Sequence, residues 1–213
     1  MAKRLPRDPE KESAILTGAI HEFGSHGYSA STDKIAEDAG VSKGSVFRYF
    51  DNKKKLYVAA VNHSLTTIKD VLNLKVWTES DDLVTMSIRA TKYKTELSHR
   101  YPDEFALLTL AYAQDTMIPP QVRKQVFDTF NQWQQAMKNY VLGKVIKKMN
   151  IRKDLDPDKV KEYLGMVLTV LLGQVQKELE AHPEMKKIED MDALVVEVKQ
   201  YLNMIEFGIV EKE

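Results

Sequence analysis

Apolar residues recur three and four apart along almost the whole chain, and almost no stretch alternates in the way a half-buried strand requires. This pattern restricts the fold more than any other feature. A period near 3.6 belongs to amphipathic helices, and a period of two belongs to strands. An all-α protein is predicted, with about nine helices at 8–26, 33–39, 43–49, 53–74, 81–99, 103–115, 120–149, 157–181 and 190–210. Proline is tolerated in a first helical turn and resisted later, so Pro102, Pro119–Pro120, Pro157 and Pro183 mark boundaries. Gly27 and Gly40 read as stops, free to adopt positive φ. Thr32 and Ser42 read as N-caps of the second and third helices, and Asp51–Asn52 opens the fourth.

The 213 residues contain no cysteine. Disulfides, thiol nucleophiles and Cys-type metal sites are thereby excluded. A chain of this length buries roughly 70% of its unfolded surface and needs no such staples. Lys and Arg number 31, as do Asp and Glu, so the total charge selects no partner. The distribution is more informative. Lys3, Arg4, Arg7 and Lys11 form a basic arm, and Lys43, Arg48, Lys53, Lys54 and Lys55 form a second cluster. Such clusters fit a nucleic-acid footprint, but on charge alone a solvated face is the simpler reading.

Residues 32–50 read TDKIAEDAGVSKGSVFRYF. Two helices too short to persist alone are joined by a turn at Ala39–Gly40–Val41. Ala36 allows close approach, while Ile35, Val41, Val46 and Phe50 supply the apolar side. This is a helix-turn-helix pattern, in which the second helix of the pair enters the DNA major groove. Lys43, Ser45, Phe47 and Arg48 cannot all face the core. Lys and Arg donate to guanine O6 and N7, and an apolar group touches a thymine methyl. Gly44 allows close approach to DNA. Tyr49 offers a hydroxyl to phosphate, and Lys53 opens a helix whose N-terminus also favours an anion. The competing reading is a solvent-facing helical corner with structural aromatics.

Residues 15–56 resemble the DNA-binding domain of TetR-type transcriptional regulators. The resemblance rests on Ile15–Leu16, Ala19, Phe23, Gly27–Tyr28, Ser31–Thr32, Ile35–Ala36, Ala39 to Ser42, Gly44 to Phe50 and Lys53 to Leu56. It implies phosphate contacts at Thr32, Tyr49 and Lys53. It implies contacts to bases or backbone at Ser42, Lys43, Gly44 and Ser45, and groove-facing positions at Phe47 and Arg48. Two positions depart from the pattern. Asp33 would be repelled by phosphate, and Lys54 and Lys55 stand where acidic residues are common.

The resemblance also implies two domains: a helix-turn-helix domain with its basic arm at 1–52, and a helical ligand-binding and dimerisation domain at 53–213. Homodimerisation is expected through 157–181 and 190–210, whose wide apolar faces fit a four-helix bundle across a twofold axis. A pocket is expected among the central helices, lined by Tyr93, Leu97, Phe105, Leu108, Tyr112, Phe127, Phe130, Trp133, Met137 and Met166. Aromatics at helical spacing also fit plain core. The expected effector is small and largely apolar or aromatic, and the expected partner is a double-stranded DNA operator.

Enzyme-like patterns fail. His21 and His26 are five apart and point to different helix faces, unlike a zinc-protease pair. Glu96 and His99 lack the second copy a di-iron bundle needs, and Glu178 and His182 lack further ligands. No metal, cofactor or catalytic residue is expected. Nothing resembles a secretory leader, and no apolar run approaches the roughly 20 residues of a membrane helix. The expectation is a cytoplasmic, ligand-responsive repressor that binds a palindromic operator as a dimer. The alternatives are a helical small-molecule or lipid carrier without DNA function, and an enzyme on a helical bundle.

Overall fold

The computed structural model describes residues 7–114, 116–182, 184–185 and 187–208. These contain ten α-helices: α1 (Pro9–His26), α2 (Thr32–Asp38), α3 (Lys43–Phe50), α4 (Lys53–Val71), α5 (Lys75–Thr78), α6 (Leu83–Arg100), α7 (Pro102–Tyr112), α8 (Pro120–Val145), α9 (Pro157–Ala181) and α10 (Asp192–Phe207). Short 3-10 turns lie at Gly27–Ser29 and Ile188–Met191, and no strand occurs among the described residues. Every predicted helix is present. The addition is α5, whose four residues are too few for a period to be read.

The caps explain most boundaries. Asp8 accepts from the Glu10 amide at 3.0 Å, and Asp156 from the Asp158 amide at 2.7 Å. The cap of α2 is Ser31, not Thr32; its hydroxyl accepts from the Lys34 amide at 3.4 Å. Thr32 is therefore the first helical residue. The fourth and eighth helices end a few residues early, at Val71 and Val145. The last stops at Phe207, before Gly208 with φ of 89°. Pro183 and residues 209–210, where a break and the final helical turn are predicted, lie outside the described residues.

The chain divides into two compact units. The first spans Met1–Val71 and Tyr101–Phe127. In it α1 packs against α2, α4 and α7, and α4 also packs against α7. Ile15, Phe23, Ile35, Val46, Leu56, Tyr57 and Leu107 keep no more than 1% of their surface. Phe23, Tyr28 and Tyr57 form an aromatic knot, with Tyr57 edge-on to both others at 5.0 and 5.3 Å. At the start of α7, Asp103 lies 3.0 Å from His21 Nδ1, and this contact raises the imidazole pKa.

The second unit spans Leu72–Arg100 and Asp128–Glu213. Its core includes Trp77, Leu83, Met86, Ala90, Leu142, Val145, Leu164, Leu171 and Leu202. Trp77 meets Tyr93 edge-on at 5.7 Å. Glu206 of α10 accepts from the amides of Leu83 and Val84 at 3.0 and 3.3 Å, satisfying donors that every helix start leaves open.

The tightest approach in the first unit is at Gly24, where an added Cβ would stand 2.9 Å from the Asp103 carbonyl oxygen. Alanine is the better helix former by about 0.5–1 kcal/mol. Overpacking against a backbone atom costs about 1–3 kcal/mol. Overpacking should win, so Gly24→Ala is expected to lower the free energy of unfolding measured in urea. An increase would mean that α7 yields to the methyl group.

Candidate nucleic-acid interface

The pair α2–α3 is built by its turn. Gly40 takes φ of 63°, and its amide donates to the Glu37 carbonyl at 3.0 Å. The Val41 amide donates to the Ala36 carbonyl at 2.9 Å. Carbonyls left open at the end of α2 are thus closed by a left-handed residue that a side chain would strain. Ser42 then starts α3, its hydroxyl accepting from the Ser45 amide at 3.2 Å and lying 3.0 Å from the Ser45 hydroxyl. Both serines are engaged in the cap at the point where contacts to DNA are expected.

Val46, Tyr49 and Phe50 face inward on α3 and are buried. Lys43, Gly44, Phe47 and Arg48 occupy the other side, within an arc of about 140° at 100° per residue. Lys43, Gly44 and Arg48 are exposed, and Phe47 is half-buried. An added Cβ on Gly44 would meet nothing nearer than the Ser42 hydroxyl at 3.9 Å, so the space beside it is open. A second backbone can approach there.

The electrostatics of this arc differ residue by residue. The Lys43 ammonium donates to Asp33 at 2.9 Å, so the acidic residue that breaks the family pattern is a partner for lysine. Both side chains are exposed, and such pairs contribute about 0–1 kcal/mol, so a stronger anion can displace Asp33. The Arg48 guanidinium lies 5.2 Å from the Tyr49 ring centre. The Tyr49 hydroxyl accepts from the Asp8 amide at 2.9 Å, and the Tyr49 carbonyl accepts from Arg7 at 2.9 Å. Arg7 of the basic arm therefore folds back on α3; Lys3 and Arg4 lie outside the described residues.

Lys53 behaves unlike the expectation for it. Its ammonium donates to the Ala30 carbonyl at 2.7 Å and sits 5.0 Å from the Tyr28 ring centre. Burial lowers its pKa. In this structure the side chain ties the start of α4 to the corner before α2. Lys54, next to it, is exposed, and Lys55 pairs with Asp51. Thr32 is half-buried at the first position of α2.

The expected pocket residues are divided between the units. Phe105, Leu108, Tyr112 and Phe127 belong to the first, and Tyr93, Leu97, Phe130, Trp133, Met137 and Met166 to the second. The Tyr93 hydroxyl accepts from the Asn73 amide at 2.9 Å and its ring packs on Trp77, which are structural roles. Leu97 and Phe130 are buried, Trp133 and Met137 half-buried. Met166 is 58% exposed and stands with Tyr163 and Val170 on an outer stripe of α9, away from any enclosed lining. Two recesses occur in the second unit, about 260 Å³ beside Gln174, Val198 and Tyr201 and about 290 Å³ beside Lys138, Leu142 and Gly165. None of the ten residues lines either.

Comparison with known proteins points to the same end of the chain. Residues 15–60 match the family model for bacterial regulatory proteins of the tetR family. The chain is 28% identical over 124 residues to the HTH-type transcriptional activator FasR of Mycolicibacterium smegmatis, covering 58% of this chain and 54% of that protein. It is 31% identical over 109 residues to the HTH-type transcriptional regulator RutR of Escherichia coli, covering 51% and 50%. The chain thus spans about half the length of these curated relatives. Its fold resembles that of a TetR-family regulator from Rhodococcus sp., with TM-score 0.58 and 15% identity over 93% of this chain and 100% of the other. It also resembles FadR from Bacillus subtilis in complex with stearoyl-CoA, with TM-score 0.55 and 17% identity over 93% and 100%.

Lys53→Ala is expected to lower the thermal midpoint, because a half-buried hydrogen bond and a cation–π contact worth about 1–2 kcal/mol together are removed. The slope of log K against log salt for DNA binding should stay unchanged. A slope shallower by about one unit would instead put this ammonium on a phosphate.

Proposed function

We propose that this chain, a member of the TetR family of bacterial regulatory proteins, acts as a ligand-responsive transcriptional repressor that binds a palindromic operator as a homodimer. One observation carries the reading. The outer arc of α3 offers an exposed guanidinium, a displaceable ammonium and an open glycine backbone on a helix whose other side is fixed in the core. A groove reader needs this combination of exposed donors and rigid support.

Each residue takes a role. Arg48 and Lys43 read base edges, and Phe47 meets a thymine methyl. Gly44 allows the backbone to approach, and Ser42, Ser45 and Thr32 lie along the phosphates. Lys53 presents the first turn of α4, whose backbone amides face an anion. Residues 1–52 form the DNA-binding part and 53–213 the effector and dimerisation part.

A twofold protein places two such helices about 34–36 Å apart in successive major grooves. The apolar stripe on α9 supports the dimer. Tyr163, Met166 and Val170 are 49, 58 and 63% exposed at a spacing of three and four, and Val196 and Phe207 on α10 are 53 and 60% exposed. Isolated exposed apolar residues are ordinary, but a stripe at helical spacing fits a partner helix. The effector is largely apolar, a reading to which the stearoyl-CoA bound by the similar FadR fold lends support. Release from DNA requires that the effector bind the two geometries of the dimer unequally. No helix among the described residues is long and apolar enough to cross a membrane, and the reading places the protein in the cytoplasm.

Selection of sites from a random DNA pool tests this directly, with protein refolded to strip ligand and at a stated near-physiological salt. An enriched palindrome is expected. Arg48→Ala should then cost about 1–3 kcal/mol and relax preference at one position per half-site. Enrichment of no sequence would sink the operator reading, and a uniform loss on every sequence would reduce Arg48 to an anchor.

A further inference from the structure

A carboxylate stands on the face proposed to meet DNA. Asp33, in the first turn of α2, accepts from the Lys43 ammonium at 2.9 Å across ten residues of chain. The two side chains are 70 and 50% exposed, so both lie on the open side of the helix pair. Each is the other's only partner among the described residues. The other acidic residues of α2 are engaged elsewhere: Glu37 and Asp38 take Lys34, at 3.0 and 3.5 Å. Arg48, on the same arc as Lys43, forms no ion pair among the described residues and rests on the Tyr49 ring.

The pairing affects unequally the two kinds of contact that a lysine makes with DNA. An ammonium carries three donors. With one on Asp33, two remain, enough for the O6 and N7 acceptors of one guanine. A base contact therefore leaves the pair standing. A phosphate contact draws on charge rather than on donors, and its free energy comes from the counterions that a free cation displaces. A lysine already neutralised by its own carboxylate displaces fewer. Phosphates occur at every step of any duplex, whereas guanine acceptors occur only at some. Neutralising Lys43 within the protein thus weakens attachment everywhere, and least where the base is right. Specificity consists of such a difference in affinity.

We propose that Asp33 is a specificity-determining residue, which positions Lys43 as a reader of guanine and withholds it from phosphate. This rests on the DNA-binding reading above and deepens it. The carboxylate acts through the lysine and not on the DNA itself. Exposed to water and screened over roughly 8 Å, it acts weakly on phosphates that it does not touch. Sequence reasoning missed the role because Asp33 reads as a misfit beside phosphate, and its partner lies ten positions on, across the turn.

Asp33→Asn removes the charge and keeps the shape. With the full chain refolded free of ligand, affinity is measured for a random-sequence duplex and for the duplex enriched by site selection, each over a range of salt. The variant is expected to bind the random duplex about fivefold more tightly, with the slope of log K against log salt steeper by about one unit. Its affinity for the selected duplex should gain less, so that the ratio between the two falls by at least about threefold. Asp33→Glu, which keeps the charge, should restore the original slope. In a Lys43→Met background, Asp33→Asn should move neither affinity. Unchanged binding of random DNA, an equal gain on both duplexes, or the same gain without Lys43 would overturn the proposal; the last would make Asp33 a plain repelling charge. A fall on both duplexes together with a lower thermal midpoint would also overturn it, and would make the pair a brace between α2 and α3. In each of these cases the original chain still prefers its selected duplex, and the regulator reading stands. If the original chain binds no DNA, or binds it without enriching a sequence, that reading fails first and no discrimination is left for Asp33 to set.

Discussion

The proposed recognition surface stands on two helices of seven and eight residues, α2 and α3. Helices this short are marginal in water, since nucleation fixes several residues for each hydrogen bond gained. Their persistence therefore comes from elsewhere. Ile35, Ala36, Val46 and Phe50 bury against the body of the first unit, and the turn at Gly40 gives the Ala36 and Glu37 carbonyls their partners. Everything proposed for α3 depends on this borrowed rigidity. A groove-reading arginine on a fraying helix would lose in conformational entropy what it gains in contact.

The basic residues near this surface are not equivalent, although the sequence makes them look so. Lys53 is committed to the Ala30 carbonyl and the Tyr28 ring, and Arg7 to the Tyr49 carbonyl. Lys43 and Lys55 are each held by a weak exposed pair, and Arg48 only leans on a ring. Two cations thus stabilise the scaffold, and those on the outer arc of α3 stay available. The chain as a whole is neutral, so long-range attraction to DNA must come from this local arrangement rather than from a net field.

Most of the fold was legible because helical periodicity is a local signal and proline and glycine punctuate it. The misses are equally physical. Four residues cannot display a period, so α5, with its buried Trp77, leaves no signal in the sequence. Ser31 and Thr32 are adjacent cap residues, and only backbone geometry separates them. The helix-turn-helix was legible because its turn, small residue and apolar positions lie within twenty residues of one another. A ligand pocket is not legible in the same way, because an aromatic at core spacing looks the same whether it packs or lines a hollow. Tyr93 illustrates this: its hydroxyl and its ring are both taken by neighbours that are distant in sequence.

The first unit is discontinuous in sequence. Leu107, Leu110 and Ala111 of α7 close the core against α1 and α4, yet some thirty residues of the second unit intervene before them. The first unit is therefore not a portable cassette. A chimaera that joined residues up to Val71 to a foreign body would leave the Gly24 face of α1 bare, and would need to bring its own α7 to cover it. For a protein of this build, new operator preference is reached more readily by changing the outer arc of α3 in place than by exchanging heads.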